Sequence, residues 1–144
     1  MGYTNYWYIS DTFNNKEWNK ITTVAKALVD DPTITGWDGK RSTPPKVDEN
    51  TITFNGLDES NEVGRDNSHE TFSLVRDVKE YAKNTEHYVS IDPTYGYFFF
   101  CKTVRKPYDE HVWKILCAAR NAAPTKIKIS NDDSTEMFVE AQNG

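Results

Sequence analysis

The residues YGYFFFCKT at positions 95–103 carry the strongest strand signal in the chain. Aromatic or apolar side chains occupy both sets of alternating positions as far as Phe100, which is typical of a strand that is covered on both faces. We therefore predict that this strand lies in the centre of a sheet. A turn with three cations follows it, and Pro107 precedes the apolar periodicity of a helix over 109–122.

Further strands and helices are predicted outward from this strand. The segment 3–9, YTNYWYI, is rich in aromatic residues and predicts a strand whose alternate side chains point to opposite faces. Asn14 and Glu17 stand three positions apart, as in a capping box, and predict the start of a helix that ends before Pro32. The remaining strands are predicted at 51–55, 71–75 and 125–130, with a short helix at 77–83 and another after position 132.

The order of these elements indicates an α+β fold in a single domain, 1–144. Two successive β-α-β patterns predict a ferredoxin-like β-α-β-β-α-β sandwich, with helices on one face of a single, mostly antiparallel sheet. Two long loop insertions, at 33–50 and 57–70, and an added C-terminal helix complete this prediction. One sheet face and two sheet edges then need cover, and a homo-oligomer is one way to supply it.

The composition excludes several function classes. The 144 residues carry a net charge of −5 with a pI near 5.2, which argues against a long nucleic acid as partner. Two cysteines and three scattered histidines lack the ligand spacing of a zinc or iron–sulfur site, so no metal and no cofactor is predicted. No stretch approaches the roughly 20 apolar residues of a membrane span, so no membrane partner is expected. The aromatic content of 13% is the unusual value.

Three cations follow the central strand, at Lys102, Arg105 and Lys106. They precede a predicted helix N-terminus, where free N–H groups attract anions, and an arginine can bind a phosphate through two hydrogen bonds. This arrangement predicts an anion site. Asp109, the expected N-cap, already places a negative group there, and the cations could instead pair with the acidic insert at 58–70, so a purely structural role stays open.

The adjacent residues His69 and Glu70 are a second candidate, because a histidine beside a carboxylate can act as a general base with an orienting partner. Neighbouring residues of an extended chain point to opposite faces, so the two side chains are not a preformed site. Cys101 lies inside an aromatic strand, which predicts a buried, unreactive thiol. The chain lacks the glycine-rich and nucleophile motifs of dinucleotide-binding, P-loop and α/β-hydrolase proteins.

Aromatic residues crowd the first strand and the central strand. Rings on a sheet stack bases in several folds that bind single strands, and a small nucleotide suits an acidic chain better than a long phosphate chain does. Tyr6, Trp7 and Tyr108 are therefore candidates for stacking, and Trp37, in the first long loop, is a candidate lid. The alternative is that these rings form the hydrophobic core.

Several motifs together resemble a family of small uncharacterised proteins of tailed phages and prophages. In that family the opening often reads GYTHYW and a late motif reads FCKTARKPYD. The corresponding stretches here are GYTNYW at 2–7, FNG at 54–56, HETF at 69–72 and FCKTVRKPYD at 100–109. The chain departs from the family at Asn5, where histidine is common. The resemblance implies a phage protein that acts in the cytoplasm of the bacterial host, and it implies no reaction.

These observations favour binding over catalysis. The leading hypothesis is a phage protein that binds and sequesters a small anionic ligand, such as a cyclic nucleotide that the host uses as an immune signal. The alternatives are a nucleotide hydrolase or phosphodiesterase that uses His69 and Glu70, and an inhibitor that binds a host protein. The candidate ligand-binding residues are Arg105, Lys106, Lys102, Tyr108, His69, Glu70, Tyr6, Trp7 and Trp37.

Overall fold

The computed structural model describes residues 3–58, 66–84 and 89–133. The fold is α+β with antiparallel sheets, as predicted. The helix predicted after position 132 falls in 134–144, outside the described residues. The elements in chain order are β1 (Thr4–Ile9), α1 (Asn15–Lys26), β2 (Ile34–Thr35), β3 (Lys46–Val47), β4 (Thr51–Gly56), β5 (Phe72–Val75), α2 (Val78–Lys83), β6 (Ser90–Asp92), β7 (Gly96–Lys102), α3 (Asp109–Ala122) and β8 (Ile127–Asn131).

The first sheet has the strand order β6-β7-β1-β8, and all its neighbouring strands are antiparallel. The prediction that β7 lies inside a sheet is confirmed, since β6 and β1 flank it. A tight turn joins β6 to β7, because the Asp92 carboxylate accepts the N–H groups of Thr94 and Tyr95. Gly96 follows with a φ of 99°, where any Cβ would lie 2.4 Å from the carbonyl oxygen of Ile9.

The second sheet contains the strand that was predicted at 51–55, and here the expectation of one sheet is corrected. This strand, β4, pairs with β2, β3 and β5, while β6 occupies the position beside β7. Short turns favour the β3–β4 and β6–β7 pairings, because closing a short loop costs less entropy than closing a long one. Asp48 fastens the turn between β3 and β4 by accepting the N–H groups of Asn50 and Thr51.

Helix α1 begins as the sequence predicts. Asn14 and Glu17 form the complete capping box, with each side chain accepting a backbone N–H of the other residue. Phe13 stacks on Trp18 with ring centroids 6.0 Å apart, which is the expected hydrophobic staple. The helix ends at Lys26, earlier than the position of Pro32 indicated, and turns lead from there to β2.

One hydrophobic core joins the two sheets to helices α1 and α3. Trp7 of β1 lies 5.3 Å from Phe72 of β5, and Phe72 lies 5.1 Å from Phe54 of β4, measured between ring centroids. The side chains of Ile127 and Ile129 are also buried on this inner face of the first sheet. Each such side chain contributes about 1.5–3 kcal/mol by leaving water. None of the helices within the described ranges is long and apolar enough to cross a membrane.

Candidate functional site

The outward face of the first sheet presents four aromatic rings on its two inner strands. Tyr6 and Tyr8 of β1 lie opposite Phe100 and Phe98 of β7, respectively. The ring centroids of Tyr8 and Phe98 are 4.9 Å apart, those of Tyr6 and Phe98 are 6.1 Å apart, and those of Phe98 and Phe100 are 6.0 Å apart. We call these four residues the aromatic square.

The aromatic square is partly exposed to solvent in the described part of the chain, since Phe100 is exposed and Tyr6, Tyr8 and Phe98 are half-buried. Helix α3 contributes to the buried core on the opposite face, where Ile9 and Cys101 lie. Phe100 retains 51% of its exposure, and Tyr95, whose ring lies 5.4 Å from that of Tyr8, retains 39%. A row of rings exposed on adjacent central strands is a surface on which another planar ring can stack.

Charged groups surround the aromatic square. Lys102 stands one row beyond Phe100, opposite Thr4, and Lys128 of β8 lies opposite Tyr8. Because these two lysines flank different corners, a ligand on the rings would meet a cation at each end. The carboxylate of Asp132 occupies a third corner of the aromatic square, beside Tyr6.

Asp132 holds the end of the sheet beside Tyr6. Its carboxylate accepts the Tyr6 hydroxyl at 2.8 Å and the backbone N–H of Thr4 at 2.9 Å. The hydrogen bond from the hydroxyl raises the pKa of Tyr6, so this ring stays neutral at physiological pH. The Tyr6 side chain is thereby held on the outward face with its ring available.

The predicted anion site at the cationic turn contains an internal carboxylate. Arg105 donates to Asp133 at 2.5 Å, and its guanidinium lies 4.1 Å from the centre of the Tyr3 ring. The hydrogen bond to Arg105 lowers the pKa of Asp133. Val104 and Arg105 both adopt positive φ values, of 54° and 57°, which turn the chain sharply before α3. A phosphate at Arg105 would lie beside the Asp133 carboxylate, whose negative charge would repel it.

Asp109 does not cap helix α3, contrary to the expectation. It is the first helical residue, and the preceding Tyr108 occupies the N-cap position without a side-chain hydrogen bond. One oxygen of the Asp109 carboxylate instead accepts from Asn5 Nδ2 at 2.7 Å and from Thr103 Oγ1 at 2.5 Å. Asn5 is fully buried, so its side chain forms a structural contact between β1 and α3.

Lys106 and Tyr108 fasten the segment 66–71. Lys106 Nζ donates to the carbonyl oxygen of Asp66 at 2.7 Å, and the Tyr108 hydroxyl donates to that of Glu70 at 2.6 Å. Tyr108 is fully buried, and this burial raises its pKa. Its ring therefore packs in the interior and is not available for stacking on a ligand in this structure.

His69 and Glu70 have different hydrogen-bond partners. The Asn55 side chain donates to the carbonyl oxygen of His69 and accepts its N–H, which holds the backbone there. The Glu70 carboxylate accepts the backbone N–H of Lys102 at 2.7 Å, and the Glu70 N–H donates back to the Lys102 carbonyl oxygen. Glu70 thus extends the edge of β7, while His69 is exposed.

Trp37 and Trp7 occupy opposite environments. Trp37 is 66% exposed, on a loop whose position is fixed because Thr71 Oγ1 donates to the Trp37 carbonyl oxygen at 2.6 Å. Trp7 is 2% exposed and stacks at 6.0 Å on Phe99. Trp7 also lines a cleft of about 180 Å³ together with Phe99 and Tyr81. Trp7 is a core residue, whereas Trp37 is available at the surface.

The nine predicted site residues therefore fall into separate groups. Contacts around the segment 66–71 bring together the residues His69, Glu70, Lys106, Tyr108 and Trp37. Tyr6 and Lys102 belong to the outward face, Arg105 pairs with Asp133, and Trp7 lies in the core.

The predicted site residues do not include three rings of the aromatic square, Tyr8, Phe98 and Phe100. For Tyr8 the sequence contains the necessary pattern, because Tyr6 and Tyr8 alternate with the buried Trp7 and Ile9 and therefore share a face of β1. The register of β7 against β1, which the sequence does not specify, then decides that Phe98 and Phe100 share their face.

Metal and thiol chemistry find no support in the described residues. Among them, no group of three or more His, Cys, Asp or Glu side chains is arranged to hold a metal ion. Burial raises the pKa of the Cys101 thiol to about 12, as expected of an inert buried cysteine.

Comparisons with protein-family models, with curated proteins and with solved structures find no match to this chain.

Proposed function

We propose that this chain binds and sequesters a small nucleotide-type ligand, without turning it over, by stacking its base on the aromatic square. The observation that carries the proposal is the exposure of Phe100 beside Tyr6, Tyr8 and Phe98 on the open face of an antiparallel sheet. Stacking a base on an aromatic side chain contributes about 1–3 kcal/mol and tolerates different bases.

The charges around the aromatic square favour an anionic ligand of small size. Lys102 and Lys128 supply two positive charges on this face, and Asp132 limits the surface at one end. The net charge of −5 disfavours a long polyanion but leaves a single phosphate or two acceptable. This proposal moves the site from the cationic turn, where Arg105 already binds Asp133, to the face of the sheet.

A binding role is favoured over the nucleotide hydrolase or phosphodiesterase alternative. Catalysis by His69 and Glu70 would need the carboxylate to orient the imidazole, but Glu70 accepts the backbone N–H of Lys102. The backbone of His69 is held by Asn55, and its side chain is exposed to solvent. Neither residue is therefore given a catalytic role in the proposal.

Inhibition of a host protein is the second candidate function. It is favoured by the outward face, where Phe100 is 51% exposed and Tyr95 is 39% exposed, and by Ile91, which is 65% exposed on the edge strand β6 and lies opposite Tyr97. Exposed apolar groups that adjoin one another are typical of protein interfaces. The same edge strand offers a place for a second copy of the chain, so a homo-oligomer is part of this candidate.

The biological setting is proposed on the resemblance to phage proteins. We propose a phage protein that acts against host defence in the host cytoplasm, where nucleotide signals are found. A ferredoxin-like description is supported for half of the fold, because β7, α3 and β8 form a β-α-β unit around the antiparallel β1. The other half departs from it through β4.

The experiment is titration calorimetry of the full chain against AMP, UMP and cyclic dinucleotides. We expect binding by at least one of them, and recovery of the ligand intact after heat denaturation of the protein. The Phe100→Ala variant should weaken binding about 5- to 150-fold, which is the loss of one stacking contact. Because Phe100 is half exposed, this variant should keep the circular dichroism spectrum of the wild type.

The Trp37→Ala variant tests whether the ligand binds at the loop that carries Trp37 instead of at the aromatic square. Trp37 is the more exposed ring, but it lies on the loop that Thr71 holds rather than on the sheet. Loss of binding in this variant, with Phe100→Ala unaffected, would place the ligand at the loop and contradict the proposal. Absence of binding to every nucleotide would leave the interaction with a host protein as the better supported function.

A further inference from the structure

We infer that the outward face of the first sheet accommodates a short single-stranded segment of two or three nucleotides, rather than one nucleotide alone. This inference rests on the proposed stacking function and names the class of ligand more narrowly. It depends on three features of the same face, namely the number of ring rows, the position of the lysines and the openness of the surface.

The rings form more than one row along the strands. Tyr6 and Phe100 make one row, Tyr8 and Phe98 make the next, and the Tyr95 ring extends the second row at 5.4 Å from Tyr8. Residues two positions apart on a strand are separated by about 6.8 Å, since each residue advances about 3.4 Å. A single base covers one row, so the second row is left for the base of a neighbouring nucleotide.

The lysines lie where a linked phosphate chain would pass. Lys102 follows Phe100 at one end of β7, and Lys128 lies across β1 from Phe98, beside Tyr8. These two cations therefore stand at different rows rather than side by side. A mononucleotide places its phosphate beside one of these lysines only, whereas a strand with two or three phosphates reaches both.

The open face selects single strands over duplexes. Rings on a sheet stack on bases that have been unstacked and splayed apart, and the bases of a duplex are already stacked and paired. The carboxylate of Asp132, which is held by Tyr6 and Thr4, adds repulsion at one end of the face. A long polyanion would gain nothing beyond the rows of rings, so we expect a footprint of two or three nucleotides.

The test is titration calorimetry of the full chain with UMP and with uridine oligonucleotides of two, three, four and six residues. We expect the affinity per molecule to rise at least tenfold from UMP to the trinucleotide and then to level off. Binding should weaken with added salt, with a slope of about −1.4 for log K against log salt concentration, because two phosphate contacts contribute about −0.7 each.

Two lysine variants locate the phosphate path. Lys128→Met should reduce the salt slope by about 0.7 while leaving the stacking contact. Lys20→Met is the matched control, because Lys20 lies on α1 and not on the sheet, and its salt slope should equal that of the wild type. Equal slopes for Lys128→Met and the wild type would overturn the assigned path.

The outcomes separate this inference from the proposed function. Binding of UMP with no gain from the dinucleotide or trinucleotide overturns the inference and leaves the proposed function intact. Tighter binding of a six-base-pair duplex than of the single strand also overturns it. Absence of binding to UMP, to the other nucleotides and to every oligonucleotide overturns both, and favours the protein-binding candidate.

Discussion

The two faces of the first sheet are formed by the same strands, but one face packs in the hydrophobic core and the other is partly exposed to solvent. On the inner face, Trp7 is 2% exposed and Cys101 is 1% exposed, whereas Phe100, on the outward face of β7, is 51% exposed. Both faces are aromatic, so hydrophobicity does not distinguish the core from the surface in these strands. The distinction comes from what packs against each face, and the following predictions test it.

The largest effect is expected from replacing the inner ring. Trp7→Ala should lower the free energy of unfolding by about 3–5 kcal/mol, because it leaves a cavity between the two sheets. Phe100→Ala, on the other face, should change it by less than about 1 kcal/mol. Urea denaturation followed by circular dichroism measures both values. Comparable losses of unfolding free energy in the two variants would mean that the outward face is covered, and would contradict the difference in exposure between the two faces.

A buried hydroxyl should matter more than an exposed one. Tyr108→Phe removes the hydrogen bond to the Glu70 carbonyl oxygen and should cost about 1–3 kcal/mol of unfolding free energy, since the bond lies in the interior. Tyr6→Phe is the matched change on the outward face, where Asp132 and its hydrogen bond are exposed to water. The loss of unfolding free energy in Tyr6→Phe should be less than half of that in Tyr108→Phe. A larger loss in Tyr6→Phe would contradict the expectation that the buried hydrogen bond contributes more than the exposed one.

Alkaline pH should destabilise the inner face. Burial raises the pKa of Cys101 from 9.0 to about 12, so the folded state retains a proton that the unfolded state loses. The stabilisation is present below pH 9 and decreases as the pH rises from 9 towards 12, by up to about 1.4 kcal/mol per pH unit. Buried Tyr108 has a raised pKa and adds to the loss above pH 10.

Cys101→Ala isolates the thiol. Its free energy of unfolding, measured in urea at pH 8.0, 9.0 and 10.0, should fall less steeply with pH than that of the wild type. Phe100→Ala carries both buried groups unchanged, so its slope should match the wild type. Identical slopes in all three proteins would show that the thiol is not buried in the folded state.

The smallest effect is expected at the exposed ion pair beside the outward face. Arg105 and Asp133 are 63% and 52% exposed at their side chains, and such pairs contribute little to stability. Asp133→Asn should leave the melting temperature unchanged at both low and high salt. Lys126→Met is the contrasting change, because Lys126 and Glu17 are only 21% and 16% exposed. Equal shifts in the two variants would contradict this ranking.

The sequence predicted the elements better than their assembly. The capping box of Asn14 and Glu17 and the alternation of Trp7 with its neighbours are local patterns, and both are confirmed. A single sheet was expected, but β4 belongs to a second one, because alternating hydrophobicity shows which side of a strand is buried but not which strand lies beside it. The short strand β6 was missed, since its three residues carry too little pattern.

The candidate site was harder to predict than the fold. Lys102, Arg105 and Lys106 are neighbours in sequence, but a turn with two positive φ values sends them to different partners. Lys106 donates to Asp66, and Arg105 donates to Asp133. Both acceptors lie far from the turn in the sequence, so a local sequence pattern does not predict these hydrogen bonds. The aromatic square needs the register between β1 and β7, and that register follows from tertiary packing.

The position of β1 in the middle of the first sheet has a consequence for synthesis. Among the described strands, β1 pairs with β7 and β8, and the hydrogen bond from Tyr3, just before β1, to Asp133 spans 130 positions. The strongly aromatic β1 therefore waits for its partners in this sheet until β7 and β8, which begin at positions 96 and 127, have been synthesised. During that interval its apolar side chains are exposed to other nascent chains, so keeping them apart is a task for the cell's chaperones.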